Sequence, residues 1–495
     1  MKRIIVLISI TIFSLPVLKA QNELDALIYS QVYSLGTARN VAMGGAFGAF
    51  GADFSTLSIN PAGIGMYRSS ELSLTPAMNY VVTNSIYLGQ NREELVSNFF
   101  MSNGGMVFSR NTGKTSGLVN LNFGIGYNRE DDYHQKIIME GTNQNSSYLD
   151  YFAFMADGYE PQDLYPFEEG IAWDVFLIDS VIGQPLNYET VLSLWGSEPN
   201  STYGQLQRRT ILTKGGKGEY VFSAGGNFGH KFYFGGTFGI HNLNYQQEMD
   251  HYEADPDNSI TEFDYFTFRE RLSSKGTAYS FKLGFLFKPI QMLRLGAAIH
   301  FPYSYRIRQD YFTTIDAGYD TPDANGDYTY QSSAYADEPY KYKVNVPFRA
   351  VGSVGLQLFK LALIGVDVEY VDYTTMRLKE GIDGYDFYDE NQAIREAYRD
   401  VLNFRGGAEV HLGFMYLRAG GAYYMSPYAE GEANNTADYF SFNGGLGIRD
   451  KSFFFDLAYS YAKRKEYYFL YPGNPAEAEN KMTKHTLMAT VGYKF

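Results

Sequence analysis

Cysteine is absent from the 495 residues, and several protein classes go with it. A disulfide scaffold, a thiolate metal site and a cysteine nucleophile are all excluded. An N-terminal lipid anchor, which needs a lipobox cysteine, is not expected either. A basic balance is also missing. Lys and Arg number 41 against 55 Asp and Glu, and the net charge of −14 argues against a nucleic-acid partner. Past the N-terminus no stretch approaches the ~18 apolar residues of a membrane helix. The seven His residues (134, 230, 241, 251, 300, 411 and 485) show no H-E-x-x-H or H-x₃-H spacing, so no metal site is expected. No G-x-S-x-G occurs, and the glycine run Gly44–Gly51 lacks the Gly-Lys-Ser/Thr of a phosphate loop. Asp320–Asp327 departs from the spacing of a calcium loop and reads as a solvated acidic turn. Neither enzymatic chemistry nor a cofactor is expected.

With only 2 Trp, the aromatic content rests on 44 Tyr and 37 Phe, and Gly reaches 50. Tyr, Phe and Gly serve strands, interfacial girdles and tight turns. The mean hydropathy of −0.27 does not resemble a helical membrane protein, but alternating strands dilute that signal. The first 20 residues read as a secretory signal: Lys2 and Arg3, an apolar core Ile4–Val17, and a cleavage point at Ala20-Gln21 with a large Leu18 three positions before it.

The end of the chain, Thr483–Phe495, alternates. Leu487, Ala489, Val491, Tyr493 and Phe495 share one face, and Lys484, Thr486, Thr490, Gly492 and Lys494 the other, with Met488 the apolar exception. Such a strand ending on an aromatic fits the girdle of an outer-membrane barrel. Fourteen segments of this kind are expected, at 69–87, 103–110, 117–130, 218–229, 231–247, 276–288, 292–307, 342–359, 361–375, 403–414, 415–427, 439–449, 452–466 and 482–495. Connections after the even strands are tight. Those after the odd strands are long, polar and acidic, the largest spanning 131–217. Short turns on one side and long loops on the other are the outer-membrane pattern. The fold class expected is all-β: a 14-stranded antiparallel transmembrane barrel over 67–495, in the outer membrane of a Gram-negative bacterium, monomeric, and delivered to the barrel-assembly machinery through the strand ending at Phe495. The partners are the lipid bilayer and a hydrophobic small molecule.

Charge on a lipid face costs ~2–4 kcal/mol at the midplane, so charged positions should face the lumen. Arg349, Asp367, Glu369, Arg405, Glu409, Arg418 and Asp456 fall there and nearly balance, as a cross-strand ionic lattice would. Arg349 and Arg405 are the first to test for gripping a carboxylate.

Residues 21–66 are too small-residued and irregular for wall. A barrel this wide needs filling, and this segment is the natural plug. Because it precedes the first strand, it is expected to start on the periplasmic side. The Gly/Ala-rich run after A-R-N, the acid in G-A-D-F-S and the turn Asn60-Pro61-Ala62-Gly63 resemble the N-terminal hatch of the FadL/TodX-type outer-membrane transporters. V-P-F-R-A-V-G-S-V-G-L at 346–356, N-F-R-G-G-A-E-V at 403–410 and L-R-A-G-G-A-Y at 417–423 resemble that family too, while the likeness is weak between 128 and 276. The resemblance implies a hatch-plugged barrel that takes up long-chain fatty acids, aromatic compounds or similar molecules passively and releases them sideways. Some Tyr-rich members are called hemin receptors, so hemin is a related ligand. The family's wall gap belongs to the third strand, where Gly124 and Gly126 permit a kink or simply make room for the hatch. In the longest loop, Trp173, Phe176, Leu177 and Trp195 either form a ligand-capture groove or pack together as a cap. A transporter predicts a cavity lined by Phe, Leu and Met running from the loops to the hatch. The rival readings are a structural or adhesive barrel with a filled lumen, and a polar porin that stands open.

Overall fold

The computed structural model describes residues 22–33, 35–194, 203–260, 262–359 and 361–495. The expected signal segment and Trp195 lie outside them. Among the described residues fourteen antiparallel strands close into one barrel. They are β1 (Glu71–Tyr87), β2 (Gln90–Asn111), β3 (Leu118–Asp132, continued by Gln135–Thr142), β4 (Leu206–Phe228), β5 (Phe232–Ala254), β6 (Tyr265–Phe287), β7 (Leu293–His300 and Tyr303–Gly318), β8 (Tyr340–Val346 and Arg349–Leu358), β9 (Ala362–Asp372), β10 (Asp400–Leu412), β11 (Met415–Tyr424), β12 (Tyr439–Arg449), β13 (Phe453–Phe469) and β14 (Glu477–Lys494).

Closure is between the last strand and the first. Leu72 opposes Tyr493, Leu74 opposes Val491 and Ala77 opposes Met488. Leu487, Val491, Tyr493 and Phe495 are exposed on the outer face, and Met488 turns in and is buried. The same alternation runs around the wall: Ile364 and Val366, Phe404 and Leu412, Phe455 and Leu457 are exposed, while Asp367, Arg405, Glu409 and Asp456 are buried. Large apolar side chains facing outward in a continuous band are costly in water and favourable in lipid. The wall is therefore membrane-spanning, and closing it leaves no free edge at the β14–β1 seam.

The strand order agrees with the sequence reading; several strand ends do not. Residues 88–102 were expected as a loop, yet β2 starts at Gln90 and pairs with β1 as far as Tyr87↔Gln90. Leu88 and Gly89 both have positive φ (47° and 80°), the geometry of a primed two-residue hairpin. The 131–217 loop shrinks to 143–205, because β3 continues to Thr142 and β4 begins at Leu206. Above the apolar band the strands carry polar and charged side chains on both faces, so the apolar alternation disappears and polar strand reads as loop. Cross-strand ion pairs stand there instead: Arg271–Asp250 at 2.7 Å and Lys214–Glu248 at 3.1 Å.

Residues 143–194 fold as a cap on the long-loop end. It carries α4 (Tyr148–Ala156), α5 (Glu169–Asp174) and a small hairpin, Ile178–Val181 with Gln184–Thr190. Ser147 and Asp150 form a capping box on α4. Leu149, Phe152, Ile171 and Leu177 form one core with Met249, Phe266 and Phe268 of the wall. Glu253 of β5 fastens the cap, accepting from Ser147 Oγ (2.6 Å) and the Tyr148 N–H (2.9 Å).

Residues 22–66 lie inside the barrel, as α1 (Glu23–Ser30), α2 (Ala38–Ala42), α3 (Thr56–Ile59) and a 3₁₀ turn Pro61–Met66. The expectation of a start at the tight-turn end is overturned. Helix α1 sits at the long-loop end: the Tyr398 hydroxyl donates to Glu23 O (3.1 Å), and Tyr342 packs in the same apolar cluster. The chain then descends, and the Ala38 N–H donates to Thr490 Oγ1 (2.8 Å) near the tight-turn end.

Candidate functional site

The lower lumen is closed by contact between backbones. Wall glycines make this possible. A Cβ added at Gly407 or Gly420 would overlap the Met43 backbone, and one at Gly235 or Gly284 would overlap Pro61 O or Asn60 Oδ1. Asn60, Pro61, Ala62 and Gly63 are buried against this surface. Asn60 Nδ2 donates to Gly48 O (2.7 Å) and to Phe285 O of β6 (3.3 Å), while its Oδ1 accepts from the Ala62 N–H (3.1 Å). One side chain thus ties two turns of the plug to the wall. Gly124 faces Leu57 and Ile64 of the plug, and Gly126 faces Phe54.

All seven lumen charges singled out in the sequence are buried, and the structure gathers them into two groups. In the first, Arg418 donates to Glu409 (2.6 Å) and Asp456 (2.6 Å), and Arg449 to Asp456 (2.8 Å). In the second, Arg349 and Arg405 flank Glu369 (3.3 and 3.6 Å), and Arg405 lies 3.9 Å from Asp367. Both groups reach the plug. Arg39 of α2 grips Glu409 with two bonds of 2.8 Å, and Asp367 accepts from the Gly48 N–H (3.0 Å). The bidentate geometry makes Arg39 the strongest single polar tie between plug and wall. The sequence reading missed it, although A-R-N already marked the position. Buried charges survive only when paired, so an odd lumen carboxylate was the available signal.

The upper lumen is built differently. Lys217 of β4 donates to Tyr29 O (2.9 Å) and also bonds Gln31 O, while Arg349 of β8 bonds Ser30 O. Two wall cations therefore hold the negative, C-terminal end of α1. Asp25 is buried, its contacts to Gln309 and Tyr342 are long (3.3 Å each), and burial pushes its carboxyl up to about 7. Beside α1 lie two cavities of about 190 and 240 Å³ that share Ile28, Tyr33, Tyr245, Tyr424 and Arg464 as walls. The expected lining of Phe, Leu and Met is overturned: tyrosines dominate. Tyr33 packs against Tyr424 and Tyr439 (5.3 and 4.6 Å), and Tyr133 against Tyr245 (5.3 Å). A lumen that contacts both water and apolar matter favours Tyr, with its apolar ring and polar tip.

The smaller cavity reaches Asp131, Asp132, Tyr133 and His134 of the third strand and its continuation, and there the wall parts. β2 and β3 pair only from Asn111↔Asn120 to Asn103↔Asn128. Beyond that, β2 continues on β1 alone, and β3 bulges between Arg129 and Asp131 and bends into the lumen. The bend puts Asp132 under β1 and β2, where it accepts from Asn79 (2.9 Å), Asn98 (2.8 Å) and Arg129 (3.1 Å). Arg129 also covers the Phe100 ring (5.4 Å). Phe99 and Met101 are exposed outside at the same level, so the opening lies in the apolar band. Higher up, Lys136–Glu94 (2.8 Å) and Arg92–Glu140 close it with side chains. The parting thus falls just beyond Gly124 and Gly126, at a bulge of charged residues that carries no glycine.

Of the loop residues read as a capture groove or a cap, the three that are described belong to the cap. Leu177 is buried in the cap core, Trp173 packs on Tyr188 (5.7 Å), and Phe176 is exposed beside Tyr330 (5.2 Å).

No protein-family model matches the sequence. No curated protein matches it either. Among solved structures the chain is similar to a Pseudomonas aeruginosa FadL homologue at 14% identity, covering 94% of this chain and 99% of that one, with a TM-score of 0.54. The toluene transporter TodX of Pseudomonas putida matches at 12% identity (94% and 99% covered, TM-score 0.49), and the toluene transporter TbuX of Ralstonia pickettii at 12% (93% and 99%, TM-score 0.47). With a closed fourteen-stranded wall, an N-terminal segment packed in its lumen and a parted third strand, the chain has the FadL-type barrel fold.

Proposed function

We propose that this protein is a channel of the Gram-negative outer membrane for passive uptake of small hydrophobic molecules, gated by residues 21–66 as a hatch and emptying sideways between β2 and β3. The observation that carries this reading is the coincidence of a lumen cavity with the parting of the wall at Asp132. A molecule in that cavity sits against an opening into lipid, while the glycine-seated plug blocks the way to the tight-turn end. A polar porin has no use for a plug held by Arg39 and Asn60, and an adhesive barrel has no use for a breach in the apolar band.

Size narrows the ligand. A cavity of ~150 Å³ holds benzene, so a single-ring aromatic fits either chamber of about 190 and 240 Å³, and an acyl chain fits by threading both. Drug-sized ligands need ~300–1,000 Å³, so hemin fits only if α1 leaves. The test is uptake of a labelled long-chain fatty acid and of a labelled monoaromatic by cells that lack other routes. Expression should raise the uptake of at least one, and deleting residues 21–66 should open an ion conductance in planar bilayers. A full-length protein that raises neither uptake, or a deletion that leaves conductance unchanged, would contradict the proposal.

A further inference from the structure

The tight-turn mouth carries a feature that the uptake path does not use. Under the plug, the turns 229–231 and 288–292, the ends of β2 and β3 and the link from the plug to β1 enclose a cleft of about 690 Å³. Arg68, His230, Lys231 and Lys288 line it, and no Asp or Glu does. That is unusual on a chain of net charge −14. Among the described residues no ion pair engages Arg68, Lys231 or Lys288; the Lys288 ammonium donates only to Gln291 Oε1 (3.1 Å). Burial holds the Lys288 ammonium below its usual range, and the charges of Arg294 and Arg68 push it the same way. The cations therefore crowd one another without a counter-charge. Phe228, Phe232 and Ile290 are exposed within three residues of Lys231 and Lys288. Lipid-facing aromatics mark the membrane–water interface, so these lysines stand at headgroup height.

We propose that this cleft binds phosphate, as the headgroup of an anionic phospholipid of the periplasmic leaflet. The inference rests on the tight-turn end being periplasmic and not on what the lumen carries. The phosphate would bridge Lys231 and Lys288 on two wall turns to Arg68, two residues past the plug, so that the lipid fastens the plug's exit to the wall. Basic clusters at a membrane surface gain ~1 kcal/mol per Lys or Arg from anionic lipid, about fivefold in affinity each.

The experiment uses the full-length detergent-purified protein. Retention of phosphatidylglycerol and of zwitterionic phosphatidylcholine is counted by native mass spectrometry, with and without inorganic phosphate as competitor. The wild type should keep phosphatidylglycerol in preference to phosphatidylcholine, and Lys231→Gln should lose about fivefold of that preference. Adding Arg68→Gln and Lys288→Gln should abolish it, while Lys451→Gln, on another turn of the same end, should not change it. If inorganic phosphate alone displaces the lipid, the site is a phosphate site fed from solution, and the lipid assignment fails. Equal retention of the two lipids, or a triple variant that retains phosphatidylglycerol like the wild type, overturns the site altogether. All three altered side chains lie at turns or the plug link, and heat-modifiable migration checks that the barrel has formed. Neither readout depends on uptake, so this proposal and the transport reading fail separately.

Discussion

The two halves of the lumen solve the same filling problem in opposite ways. At the tight-turn end backbone meets backbone: wall glycines receive Met43, Asn60 and Pro61, and Glu409 and Asp367 of the wall are bonded to the plug. At the long-loop end side chains meet side chains, and tyrosines around α1 leave two cavities. The first half is a seal and the second a chamber. Where the wall parts, it parts beside the chamber. The parting is not forced by topology, since β2 and β3 are consecutive neighbours, whereas β14 and β1, the farthest apart in sequence, pair along most of their length.

Breaking the seal should have the largest effect. Arg39→Gln strips Glu409 of a bidentate partner and should loosen the plug by about 3 kcal/mol, read as protease cleavage within residues 36–66 and as current in bilayers. Cleavage and current equal to wild type would show that the two bonds of 2.8 Å carry nothing. Gly407→Ala sharpens the comparison from the other side of the contact. Overpacking against Met43 should cost ~1–3 kcal/mol in urea unfolding of the plug, whereas Gly352→Ala, where the added atom meets nothing, should cost far less.

The smallest effect belongs to the chamber. Burial raises Asp25 from 3.8 to about 7 in the docked helix. The docked state then binds the extra proton, so this stabilisation is complete below the unfolded value and is lost as pH rises through about 7. A spin label at Leu24→Cys should become more mobile between about pH 5 and pH 8, and Asp25→Asn should flatten the profile. A flat wild-type profile would mean that the protonation of Asp25 does not govern the docking of α1.

Much of the wall was legible because lipid imposes a strict period on it. Leu487, Val491 and Tyr493, or Phe455 and Leu457, repeat every second residue wherever hydrocarbon touches the sheet. The period fades where polar side chains stand on both faces, and there most of Gln90–Ser102 and Leu206–Gly216 reads as loop. The lumen charges were visible as exceptions in apolar strands, but their partners were not, since Arg39 and Glu409 are 370 residues apart. The plug's turn stood out through Asn60-Pro61. The chamber did not, because Tyr33, Tyr133, Tyr245, Tyr424 and Tyr439 come from five separate segments, one read as plug, one as loop and three as ordinary strand. The bend of β3 left no glycine to find; it is set by Asp132 finding Asn79 and Asn98.

The absence of cysteine makes the central claim directly measurable. Cys introduced at Asn98 and Asp132 and joined by a short bifunctional maleimide locks β2 to β3 across the opening, and Cys at Ala77 and Met488 locks the β1–β14 seam as a control. If ligands leave through the opening, the first lock should reduce uptake of the transported probe to background and the second should leave it near wild type. Undiminished uptake through the locked opening would contradict the account.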